Sequence, residues 1–457
     1  MKVAESFLVV NNRPLNGRGV KVVFGLVSVV ALSGMVYLAC STFVVGSLSD
    51  RRVDVEPEVM ARAAAFFPKS ASMQWRLADA ELAADDADLS DAENHARLAV
   101  ELSPNRFEYR LTLAAAQEAL GDRDAAESSL RSATLLAPHD ASVRWQLANL
   151  LFRKGDLAAS LEQFKMVCDA DPTLLPSALN LLWNPNTNDT DSLDVVVPKD
   201  SASQLLFARF LADQGRSREA ARVFLAVDPA IRLTSPETRI FIDLLVSDGA
   251  PELARSVWAN TGGIDTNDLP VVWNGGFETV SSPRPYRFDW VFRDTKYARI
   301  GIDDHIAHSG NRSLKVEFAR IDTTRLNGEI AQTVVLKPAT TYHLSFYAKT
   351  DGFVSPAGPR VSLGISDSKW QILTDPIQSG SHDWTLVSAD FTTPLASPAG
   401  AATTMPPPTP VAATAPPERE QSLAAVLSIV REPAFSYDDP TSGTVWFDDF
   451  SITTRNK

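Results

Sequence analysis

The sequence predicts a multidomain α plus β chain: one transmembrane helix, an α-solenoid of about five helical hairpins, and an antiparallel β-sandwich. Three observations predict it. An uncharged apolar run spans Val22 to Val45. A pattern of large and small apolar residues recurs at a spacing of 34 residues between Asn105 and Pro172. After Gly262-Gly263 the chain changes to period-two alternation rich in Val, Ile, Phe, Tyr, Trp and Thr. The 457 residues suffice for two or three domains.

The segment 22–46 is long enough to cross a hydrocarbon core of about 30 Å. A cleaved signal peptide is one alternative, but its apolar region would be only about 7–15 residues long. A lipoprotein signal with Cys40 as the lipidated residue is another. Against it, Tyr37 stands where Leu is usual, and the run continues through Phe43-Val44-Val45. An uncleaved anchor is therefore expected. Arg13, Arg18 and Lys21 precede the segment, and Asp50, Arg51, Arg52, Asp54 and Glu56 follow it. The slight excess of Lys and Arg in front places residues 1–21 in the cytoplasm and the rest outside. A bacterial inner membrane crossed once, with the bulk of the chain periplasmic, fits this best.

The net charge of −13 argues against nucleic acid as a partner, because phosphate binding needs a basic surface. The two cysteines, Cys40 and Cys168, fall in the apolar run and late in a repeat helix. No disulfide between them is expected.

Helical pattern occupies 57–263. Leu113-Ala114, Gly121, Ala126, Leu130, Ala133 and Pro138 recur as Leu147-Ala148, Gly155, Ser160, Phe164, Val167 and Pro172. A degenerate unit at about 71–104 keeps Leu77, Ala80, Ala92, Ala96 and Ala99 but lacks the glycine. The register breaks at 173–200, where Asn184-Pro185-Asn186-Thr187-Asn188 is a run of turn formers. It resumes with Phe207-Ala208, Leu211, Gly215, Ala220 and Phe224, then with Phe241-Ile242, Leu245, Gly249, Ala254 and Trp258. Small residues let paired helices approach, and large ones fill the space between units, so stacking is obligatory. The pattern resembles the tetratricopeptide repeat. That resemblance implies a concave face that binds a partner protein. Some members of that family clamp a peptide carboxylate with Lys, Arg and Asn. Arg110, Arg144 and Asn149 match only loosely and read as ordinary polar residues. Trp75, Trp145 and Trp258 read as packing residues.

From 269 to 457 many short alternating strands, with no helices between them, predict an antiparallel sandwich. The ordered motifs are Asn274-Gly-Gly-Phe-Glu278, Trp290, His308-Ser-Gly-Asn-Arg-Ser-Leu314, Thr341-Tyr-His-Leu-Ser-Phe-Tyr-Ala348, Trp384 and Val445-Trp-Phe-Asp-Asp-Phe450. In that order they resemble the carbohydrate-binding modules of families four, nine and twenty-two, which have a galactose-binding-like jelly-roll fold. The resemblance implies glycan stacking on exposed aromatics, with Trp290, Tyr297, Trp370 and Trp446 as candidates and Trp370 the best exposed. It places Trp384 in the core. It also implies a structural calcium held by Glu278, Asp448 and backbone near Asn274 and in the Ser309–Arg312 loop. The alternative is that both carboxylates only make hydrogen bonds at strand ends. The Pro-, Ala- and Thr-rich stretch 394–417 departs from the family and is expected to be a disordered loop, either glycosylated or a plain insertion.

No catalytic constellation stands out, and the chain is not expected to be an enzyme. His305 and His308 lack a third metal ligand at the usual spacing, and Asp303-Asp304 and Asp438-Asp439 read as solvated turns. The expected function is a membrane-anchored envelope scaffold. Its repeats would bind a protein and its sandwich a glycan, in the assembly or export of a surface polysaccharide. The alternatives are an assembly factor for an inner-membrane complex that binds no sugar, and a glycan-processing enzyme whose site the sequence does not reveal.

Overall fold

The computed structural model describes residues 26–36, 39, 43, 57–84, 88–184, 190–279, 286–366, 368–395, 422–435 and 439–455. Residues 26–36 are helical. Among the described residues no helix is long and apolar enough to cross a membrane. Most of the remaining segment expected to span one lies outside them. The chain divides into two units, Met1–Val197 and Pro198–Lys457.

In the first unit, helix Pro57–Phe66 precedes three antiparallel hairpins. They pair Ala71–Ala83 with Leu89–Leu102, Phe107–Ala119 with Arg123–Leu136, and Ala141–Lys154 with Leu157–Ala170. Gly121 and Gly155 end the first helices of two hairpins at φ +86° and +85°, a left-handed turn that a side chain would oppose. Asp122 and Asp156 then cap the second helices, accepting from the amides of Ala125 at 3.0 Å and Ala159 at 3.1 Å. The small positions are sealed: Ala114, Ala126, Ala148 and Ser160 are 2%, 0%, 0% and 0% exposed. Ser160 Oγ donates to the Ala148 carbonyl at 2.9 Å, which ties the paired helices together.

The prolines that close the units have a second role. Arg144 donates from Nη2 to the Pro138 carbonyl at 2.9 Å, and Arg110 from Nη2 to the Pro104 carbonyl at 3.2 Å. Gln74 and Gln204 make the same bond, six residues back, to Pro68 and Pro198. Arg110 and Arg144 are thus held by the turn that enters their own hairpin. Asn149 donates to Trp145 O within its own helix at 2.8 Å. Trp75 and Trp145 pack against Tyr109 and Phe164.

The repeat register breaks into a 3-10 turn, Pro172–Leu174, and helices Leu175–Leu182 and Thr190–Asp194, just before the unit boundary. Residues 185–189 of the expected turn run lie outside the described residues.

In the second unit, hairpins Ser201–Asp213/Ser217–Ala226 and Pro236–Ser247/Pro251–Thr261 flank a short helix, Pro229–Thr234. Phe224 and Phe241 stack at 4.4 Å between the hairpins. Arg232, 2% exposed, donates to Val227 O at 3.0 Å and to Asn260 Oδ1 at 3.2 Å, so its charge stays buried but hydrogen-bonded.

Among the described residues the sandwich follows with ten strands: β1 (Val291–Phe292), β2 (Ala298–Asp303), β3 (Ser313–Ile321), β4 (Ile330–Leu336), β5 (Thr341–Val354), β6 (Arg360–Gly364), β7 (Gln371–Leu373), β8 (Gly380–Thr392), β9 (Leu423–Val430) and β10 (Thr441–Thr454). They form two antiparallel sheets, β1-β4-β9-β6-β7 and β2-β3-β10-β5-β8. The alternation read from the sequence sets the faces: Leu314, Val316 and Phe318 on β3 and Tyr342, Leu344 and Phe346 on β5 point into one core with Phe447 and Ile429. Of the Pro-rich stretch 394–417, all but Pro394 and Leu395 lies outside the described residues.

Hairpin and sandwich are joined within this unit. Arg255 bonds to the Pro270 carbonyl, Arg287 Nε to Asp243 Oδ1 at 2.7 Å, and Tyr286 Oη to Leu233 O at 3.1 Å.

Candidate functional site

Three places on the second unit gather polar and aromatic groups. The first is a corner where the start of the sandwich meets its end. Phe450 N donates to Gly275 O at 3.0 Å. A Cβ on Gly275 would collide with the Phe450 carbonyl, so only glycine lets the two segments approach. Three of the six described non-glycine residues with positive φ, Asn274, Phe277 and Asp449, sit here beside a bulge in β10.

Asp448 is fully buried under the 308–309 loop. Its Oδ2 accepts from the amides of His308 at 2.7 Å and Ser309 at 3.3 Å, and its Oδ1 from Asp449 N at 2.8 Å. Burial pushes its pKa up despite these bonds. Glu278 Oε1 accepts from Asn311 N at 2.8 Å and Arg312 N at 2.9 Å, at the other end of the same loop. The side chain of Asn274 bonds the backbone of Thr279 in both directions at 2.9 Å. The three residues expected to serve calcium therefore share one corner and present hard oxygen chemistry. Glu278 and Asp448 already accept backbone amides, as the alternative of strand-end hydrogen bonds describes.

The second place is a ledge on the outer face of β5 and β8. His308 stacks on Tyr347 at 3.5 Å, meets Trp384 edge-on at 5.7 Å, and bonds Asp449 Oδ2 through Nδ1 at 2.6 Å. Trp384 is half-buried here, on the face it shares with exposed Leu386, and not in the core. The sequence had no signal for this, because alternation alone does not tell which parity of β8 faces inward.

The glycan candidates are spread apart. Trp290 is 2% exposed and packs with Phe277, Phe292 and Phe450. Trp446 is 5% exposed, with Nε1 on Asp303 Oδ2 at 2.9 Å. Both rings are covered, which removes them as open stacking platforms. Trp370 is not the exposed ring expected; it is partly buried against the core beside Phe391. Tyr297 is half-buried, with Lys296 Nζ 4.8 Å from its ring centroid. Asp303, Asp304 and His305 bring one ligand atom each within 4.8 Å of one another, a cluster that reads in the sequence only as a solvated turn. His305 is largely exposed there.

The third place is a cavity of about 200 Å³ between helix Pro251–Thr261 and the entry to the sandwich. Trp258, Trp273, Asp289 and Trp290 line it. Burial raises the pKa of Asp289, whose Oδ2 accepts from Tyr286 N at 2.9 Å and Trp258 Nε1 at 3.4 Å.

A family model described as a carbohydrate binding domain matches residues 270–404. The sandwich carries a carbohydrate-binding domain. No curated protein matches the chain. Among solved structures, a thermophilic TPR protein of Thermus thermophilus shares 25% identity over 27% of this chain and 68% of its own, at a TM-score of 0.25. The type III secretion chaperone SycD of Yersinia enterocolitica, solved with a peptide of the translocator YopD, shares 17% over 27% of this chain and 88% of its own, at 0.22. The xylan-binding CBM22-2 domain of Paenibacillus barcinonensis Xyn10C shares 17% over 36% of this chain and 91% of its own, at 0.22. These likenesses extend over segments of the chain at low scores. Beside the carbohydrate-binding domain, helix pairs at the tetratricopeptide spacing make up the repeat region.

Proposed function

We propose that this chain is a non-enzymatic scaffold of a bacterial envelope, anchored through residues 22–46, with repeats that hold a protein partner and a sandwich that holds a glycan. The match of residues 270–404 to a carbohydrate binding domain carries the sugar half of this reading. The partner half is supported by stacked hairpins whose buried positions are spent on one another, which leaves their polar positions for a ligand protein. Surface polysaccharide assembly or export is the setting that joins the two. Calcium at the Glu278–Asp448 corner would staple the ends of the sandwich.

The test is a screen of the full chain against bacterial and plant polysaccharides, with retention on an affinity gel as the readout. Retention of the chain by at least one polysaccharide is expected. If none retains it, the sandwich is an assembly surface and the sugar half of the proposal fails.

A further inference from the structure

A bulge in β8 builds the ledge. Ala348 of β5 pairs with Thr385, and Thr350 with His382, so Asp383 and Trp384 together face the single residue Lys349. A bulge re-aims the side chains it carries. Here Asp383 bonds Lys349 Nζ at 2.6 Å, and Trp384 meets the His308 ring. Further along the strand Leu386, 53% exposed, stands opposite Tyr347, and exposed Ser388 stands opposite Ser345. From Trp384 to Asp390 the strand runs about 20 Å. His308 is pinned against this row by its stack on Tyr347 and by Asp449 on Nδ1, which leaves Nε2 for a ligand.

The other sheet offers no counterpart. Among the described residues its outward strand positions, such as Thr333 on β4, Val426 and Ser428 on β9 and Ser362 on β6, carry no aromatic ring. The ledge also holds its charges in pairs. Beside the Lys349–Asp383 bond, His343 Nδ1 meets Asp390 Oδ1 at 2.6 Å, and Arg455 takes the other oxygen of that carboxylate. Cations already paired give a polyanion little to bind. A neutral sugar lays a C–H face on an aromatic ring, and its hydroxyls both donate and accept. We infer that the ledge is the carbohydrate site. A neutral glycan lies along β8, with one sugar on Trp384 and its hydroxyls on Asp383 and His308 Nε2, and the next toward Leu386 and Ser388. This rests on the carbohydrate reading above and adds the face, the residues and the neutral class of the glycan.

The test is a calorimetric titration of the full chain with neutral β-1,3-, β-1,4- and α-1,4-linked oligosaccharides and with an oligogalacturonate. Saturable binding of a neutral oligosaccharide is expected, weakened about tenfold or more by Trp384→Ala. Leu386→Arg, at an exposed position, should block binding with the melting midpoint unchanged, which covers the case in which Trp384→Ala loosens the fold. Tyr297→Ala, beside β2 at the far edge of the same sheet, should leave binding as it was. Neutral-sugar binding that survives both Trp384→Ala and Leu386→Arg overturns the ledge and leaves the carbohydrate reading standing. Binding of the oligogalacturonate alone overturns the neutral class. If no sugar binds, the carbohydrate reading falls, and the ledge with it.

Discussion

Asp448 Oδ2 accepts the amide of His308 at 2.7 Å, across 140 residues of sequence. This bond sits under a loop whose far end is held by Glu278. The last long strand and the first motif of the sandwich thus grip one loop from two sides. Calcium at this corner should raise the thermal midpoint of the full chain relative to chelator, and Glu278→Gln should shrink that rise. An unchanged midpoint on adding calcium would remove the metal.

Gly310, at φ +63°, lies at the same loop, and a Cβ there would collide with the Glu278 carboxylate. Gly310→Ala should cost about 1–3 kcal/mol from backbone strain and the displaced carboxylate. Denaturant melting checks this, and a loss of a few tenths would show that the loop relaxes freely.

Burial raises the Asp289 pKa above its ordinary value of 3.8. A raised carboxyl contributes its full stability below the unfolded pKa and loses it as pH rises through the folded one. Asp289→Asn keeps an oxygen for the Tyr286 amide but cannot ionise. The melting advantage of the variant over the native chain should therefore grow between about pH 4 and pH 7. A gap that is flat or narrows with pH contradicts the burial account.

Cys168 is fully buried, and burial first, then Asp169 and Asp171, push its thiol up to about 12. In a Cys40→Ser chain it should resist alkylation at pH 8 until denaturant is added. Rapid labelling of the native chain would mean that the third hairpin opens easily.

Ala148 is 0% exposed, and its carbonyl holds Ser160 Oγ. Ala148→Leu should overpack the hairpin at a cost of about 1–3 kcal/mol, and Ser160→Ala should cost about 1 kcal/mol. Equal, near-zero effects in urea melts would show that the helices are not in tight contact there.

Local periodicity alone dictates the helical hairpins and the two-faced strands: Ala114 and Ala126 recur 34 residues on as Ala148 and Ser160, and Leu314, Val316 and Phe318 share one face of β3. The family resemblance carried by motifs at both ends of the sandwich implies one site for Glu278, Asn274 and Asp448, and the fold gathers them at one corner. Which aromatics are open is a matter of tertiary structure. The family resemblance offers Trp290 as an open ring and Trp384 as a core one, and the structure reverses them, because strand parity and the approach of the 308 loop are set by long-range pairing. The cavity beside Asp289 is invisible in the sequence for the same reason. Trp258 reads in the sequence as a packing residue, and only the fold brings it, on a helix of the repeats, against Trp273 and Asp289 at the entry to the sandwich.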